Sequence, residues 1–138
     1  MSAEFSAQVQ ETMGPLLERL GFVVDEVDDR PDKGGRRRHI VYYRSSDCKL
    51  QVYESSREGE FNCMIAPLDA TNAFGLDTKK WQFLTRFSDR PDVPLAELAA
   101  QARAEYESYT NPLEWVRDRI ANYYQAAHAG ILKMYGAG

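Results

Sequence analysis

Two cysteines and two histidines, Cys48, Cys63, His39 and His128, are the side chains of this sequence best suited to nucleophilic or metal chemistry. A nucleophilic pair needs a thiol within hydrogen-bond reach of an imidazole. His39 and Cys48 are the nearest such pair in the chain, but the strand register expected below places them on opposite faces of a sheet. Both thiols are therefore expected to pack as small apolar residues and to be unreactive in the native state. A transition-metal site usually draws on His and Cys at close spacing. The two histidines are far apart in sequence and have no cysteine beside them, so each is expected at the surface or the core boundary. No catalytic residue, cofactor or metal site is expected.

Carboxylates gather at Asp25, Glu26, Asp28, Asp29 and Asp32. Such a group could hold a hard cation. It lacks the calcium-loop pattern, however, and basic residues follow directly between Arg30 and Arg38, so a charge-balanced loop is expected. Arg36, Arg37 and Arg38 could grip phosphate while Tyr42 or Tyr43 stacks on a base. A net charge of −4 and a pI near 5.2 argue against nucleic acid, which calls for a basic footprint. Gly34-Gly35 does not lead from a strand into a helix and is no phosphate cradle. The eight tyrosines and two tryptophans are more informative. Trp115 points about 140° away from the apolar stripe of its helix at ~100° per residue. It either packs on the end of the preceding helix near Tyr109 or anchors a partner, since Trp and Tyr are enriched at binding hot spots. Tyr43, Tyr53, Trp115, Asp28 and Asp29 are the candidate partner-binding residues.

The elements that would position these residues read as one α+β domain over 1–138: an N-terminal helix, a four-stranded antiparallel meander, a short helix, and two C-terminal helices packed on one sheet face. Phe5, Val9, Met13, Leu16, Leu17 and Leu20 make a helical stripe over 2–20. Gly21 stands where the C-terminal cap belongs. Pro15 predicts a kink or break near Gly14. Strands are expected at Phe22–Asp28, Arg38–Arg44, Cys48–Glu54 and Phe61–Ala66, joined by short turns. Opposing Tyr42 with Leu50, Ile40 with Val52, Val52 with Cys63 and Leu50 with Ile65 gives a core face of Ile40, Tyr42, Cys48, Leu50, Val52, Phe61, Cys63 and Ile65. The other face then carries His39, Val41, Tyr43, Lys49, Gln51, Tyr53, Asn62 and Met64. A one-residue slip would invert part of this assignment. Thr78–Phe87 fits a short helix or a strand, with helix favoured. Pro94–Tyr109 reads as a helix. A last helix is expected from Pro112, with Asn111 as its cap and an apolar line from Leu113 to Met134.

The opening helix ending in Leu16-Leu17-Glu18-Arg19-Leu20-Gly21-Phe22, the meander with Val41-Tyr42-Tyr43 and Leu50-Gln51-Val52-Tyr53, and the C-terminal helices resemble the small acidic immunity proteins of bacterial polymorphic toxin systems. That resemblance implies a stoichiometric inhibitor that binds a toxin domain through surface charge and aromatic anchors. A looser likeness is to secretion-chaperone-like domains, which implies a homodimeric adaptor. A third possibility is an enzyme whose site is assembled from Asp25, Glu26, His39 and Arg44. No apolar run approaches the roughly 18–20 residues of a membrane span, and the N-terminus lacks the pattern of a secretory signal. The expectation is a cytoplasmic, non-enzymatic protein that binds another protein or itself as a homodimer, and no membrane.

Overall fold

The structure is a computed structural model that describes residues 2–31, 34–56, 60–73, 80–88 and 92–135. In chain order the elements are α1 (Ser2–Arg19), β1 (Val23–Asp28), β2 (Arg38–Arg44), β3 (Cys48–Ser55), β4 (Glu60–Pro67), β5 (Gln82–Phe83), a 3-10 turn (Leu84–Phe87), α2 (Leu95–Glu107) and α3 (Pro112–Tyr135). No described helix is long and apolar enough to cross a membrane.

α1 runs unbroken through Pro15, in place of the expected kink or break. The residue before a proline is pushed out of the helical region partly by a clash with its own Cβ. Gly14 has no Cβ, which relieves that part of the clash. The helix ends as its sequence predicts. Gly21 takes φ 90°, its amide donates to Glu18 O at 3.0 Å, and Phe22 N donates to Leu17 O at 2.9 Å. This is the paired-bond cap that only a residue at home with positive φ makes without strain. At the start of α3, Leu113 N donates to Asn111 Oδ1 at 3.0 Å, and Pro112 fills the first helical position, where no amide is needed.

The sheet is antiparallel throughout, in the order β1-β2-β3-β4-β5. The expected four-strand meander is present, and β5 adds a short pairing of Met64 with Phe83 and Ile65 with Gln82. The helix favoured between 78 and 87 is realised as the single 3-10 turn after β5; Thr78 and Lys79 lie outside the described residues. β3 and β4 pair as expected, Leu50 with Ile65 and Val52 with Cys63. β2 does not. Tyr43, rather than Tyr42, opposes Leu50, and Val41 opposes Val52. The turn decides this. Ser45 N donates to Cys48 O at 2.9 Å, closing a loop on Ser46 and Asp47 alone, and Ser45 Oγ accepts from Cys48 N at 3.2 Å. A two-residue loop sets Arg44 opposite Lys49 and fixes every pairing behind it. The one-residue slip exchanges the faces of all β2 side chains.

Both faces of the sheet are consequently buried. On one face Val41, Tyr43, Leu50, Val52, Cys63 and Ile65 meet Phe5, Val9, Met13 and Leu17 of α1 and Val116, Ile120, Ala127 and Ile131 of α3. On the other, Ile40, Tyr42, Tyr53, Met64 and Ala66 pack with Ala70 and Trp81. Among the described residues no helix covers this second face; Ala70 to Ala73 and Trp81 do. Lys49 Nζ donates to Ala70 O at 2.9 Å, Gln51 Nε2 donates to Ala73 O at 2.9 Å, and Trp81 Nε1 donates to Thr71 O at 2.9 Å. Polar side chains on β3 thus satisfy the carbonyls of a backbone that has no ladder partner of its own. Of the two C-terminal helices, α3 carries the apolar stripe into the first core, whereas no residue of α2 is buried.

Candidate functional site

Among the described residues β1 ends the sheet and pairs with β2 alone. Its residues Val23 to Val27 are all exposed. A bulge between Val24 and Glu26 makes Asp25 the extra residue of the strand. Val24 opposes Tyr43 and Val27 opposes Val41, so both lie on the helix-covered face, at a margin the helices leave bare. They are 39% and 41% exposed. Val23, opposite Arg44, is 56% exposed on the second face. An edge strand shows unpaired backbone groups and is a template for another chain unless it is blunted. β1 contains neither lysine nor proline, and only its bulge and its carboxylates oppose that use.

The carboxylates are engaged within the chain. Asp25 lies 3.3 Å from Arg44 Nε and 3.8 Å from Lys49 Nζ. Asn72 Nδ2 donates to Asp25 Oδ2 and to Glu26 Oε1, each at 2.9 Å, tying the segment that covers the second face to the edge strand. Asp28 is buried and accepts from Arg30 Nε at 3.0 Å, Arg30 Nη2 at 2.9 Å and Arg30 N at 3.0 Å. The Arg30 guanidinium hydrogen-bonded to Asp28 holds its carboxyl below the usual aspartate value, against the opposing effect of burial. Asp29 sits 2.7 Å from His39 Nδ1, and the His39 ring stacks on Phe5 at 5.6 Å. Of the scattered set, Asp25, Glu26 and Arg44 come together and His39 does not.

The aromatic candidates are placed in the interior. Tyr43 is 2% exposed in the first core and Tyr53 is 3% exposed in the second. Burial alone pushes the Tyr43 hydroxyl up to about 12, and the hydroxyl has no hydrogen-bond partner among the described residues. Trp115 is 5% exposed. It packs edge-on against Tyr106 at 4.8 Å, one turn before the expected Tyr109, and the Arg119 guanidinium lies 4.4 Å over its ring. Tyr109 instead donates its hydroxyl to Asp118 at 2.7 Å.

The histidine that approaches a cysteine is His128, contrary to its expected isolation. The β2 slip puts His39 on the same face as Cys48 after all, but at the opposite end of the sheet, across from Glu54. Asp47 in the β2–β3 turn, Cys48 at the head of β3 and His128 in α3 place one donor atom each within 4.8 Å of one another. His128 Nε2 is 3.0 Å from both carboxylate oxygens of Asp47. Cys48 Sγ has Ser45 Oγ at 3.5 Å and the Tyr124 hydroxyl at 3.8 Å, and the Tyr124 ring stacks on His128 at 5.2 Å. Burial pushes the Cys48 thiol up and pushes Cys63 up to about 12, which keeps both as thiols. Neither the open β1 margin nor the Cys48 cluster was legible in the sequence. Strand order and the folding of α3 onto the β2–β3 turn are both long-range facts, and the only local hint was the valines of an otherwise acidic strand. The chain matches no family model, no curated protein and no solved structure.

Proposed function

We propose that the chain is a non-enzymatic protein-binding module, of the kind that inhibits a bacterial toxin stoichiometrically, and that its partner docks on β1. The observation that carries this reading is the open edge of β1, with Val24 and Val27 exposed on the margin of the helix-covered face. An extended segment added as a sixth strand would hydrogen-bond to the edge backbone and bury both valines; this is recognition by strand addition, in which main-chain bonds supply affinity and side chains supply specificity. Two of the carboxylates of β1 are paired with cations of this chain, Asp25 with Arg44 and Lys49 and Asp28 with Arg30, while Glu26 accepts from the Asn72 amide. The net charge of −4 steers a basic segment toward the strand.

The test is affinity capture from the native host with wild type and with a V24E/V27E variant whose fold is verified by circular dichroism. Wild type is expected to retain one specific protein in stoichiometric amount, and the variant to lose it. Equal capture by both, or none by either, contradicts the proposal. A concentration-dependent dimer abolished in the variant would assign the edge to a second copy of the chain.

A further inference from the structure

We propose that Asp47, Cys48 and His128 bind one divalent transition-metal ion of the borderline-soft class, Zn2+ or Co2+. Thiolate, imidazole and carboxylate are the donors such ions take, whereas Mg2+ and Ca2+ favour oxygen alone. The donor atoms already lie within 4.8 Å of one another. Around a tetrahedral ion with bonds of 2.0–2.3 Å, ligand atoms stand roughly 3.3–3.6 Å apart. The required closure is therefore about 1.5 Å at the widest, within reach of side-chain rotation. The two ligands that must move are the freer ones: Asp47 and His128 are 31% and 32% exposed, whereas Cys48 is fully buried at the base of the cluster.

The surroundings are those of a supported site. Ser45 and Tyr124 hydroxyls flank the sulfur, and the Tyr124 ring fixes the plane of the imidazole. Such outer groups orient ligands and tune affinity. On binding, the metal–sulfur bond forms as the S–H bond breaks, and the proton leaves to solvent. Three protein ligands leave a fourth position to water. The ion would join the β2–β3 turn to α3, two parts of the chain that are far apart in sequence, and so stabilise the fold by preferential binding to the native state.

The experiment is titration of the reduced, metal-free, full-length protein with Co2+. The expected result is saturation at one equivalent, with the near-ultraviolet charge-transfer absorption that a thiolate–cobalt bond gives, displacement by Zn2+, and no displacement by excess Mg2+. C48S should lose the absorption. H128Q and D47N, changes at partly exposed positions that leave the cores intact, should weaken the dissociation constant about tenfold or more. Absence of saturable binding, saturation without the thiolate band, or unchanged affinity in H128Q would each overturn the assignment.

Discussion

Asp28 shows at the scale of one residue how β1 is held. Its carboxylate accepts three bonds from Arg30, one of them from the backbone amide, and Arg38 Nη2 lies 3.9 Å away. A carboxyl whose folded pKa is depressed contributes stability above its unfolded value, near ~3.9, and loses it as pH falls through the folded value. D28N is expected to be less stable than wild type at pH 7 by about 1 kcal/mol, a modest figure because Arg30 is largely exposed. The gap should close as pH falls below ~4. Urea midpoints for both proteins across that range check it. Tyr43 is the opposite case, a buried hydroxyl with no hydrogen-bond partner among the described residues. Removing such a group relieves its desolvation cost, so Y43F is expected to be neutral or stabilising by up to about 1 kcal/mol in the same assay. Tyr43, Tyr53 and Trp115 are of types that suit binding surfaces. Type alone does not reveal which face of a strand or helix is covered, and all three are buried.

At the scale of the element, what was legible is what is local. The stripe of α1, its glycine cap, the Asn111-Pro112 start of α3 and four of the strands follow from spacing and capping within a few residues. The register of β2 turned on whether Ser45 stands inside or outside the turn, a choice made by one hydroxyl and one backbone bond. The approach of α3 to the 3-10 turn was equally out of reach. At Gly130 an added Cβ would overlap the ring of Phe87 as far back as Cγ, which a flip of the ring about its own axis does not move. Ala is the better helix former by up to about 1 kcal/mol, but overpacking costs about 1–3 kcal/mol. G130A is therefore expected to be destabilising on balance, as read from its denaturation midpoint.

For the whole molecule the consequence is a sheet with two cores, one roofed by α1 and α3 and one by the segment that follows β4. Trp81 is the keystone of the second. It is 1% exposed, lies 6.0 Å from the Tyr42 ring and donates to Thr71 O. W81A should cost about 3–5 kcal/mol by the cavity it opens. Asn72 should then lose its hold on Asp25 and Glu26, visible as faster amide exchange in β1. With both faces covered over β2–β4, the six-residue β1 is a longer edge than the two-residue β5 at the other end of the sheet, and its margin is open to another chain. Hydrogen–deuterium exchange of the captured complex against the free protein reads this most directly. Slowed exchange of the amides of Val23–Asp28 in the complex is the predicted result; unchanged exchange there, with protection confined to the groove between α2 and the 3-10 turn, would contradict docking on β1.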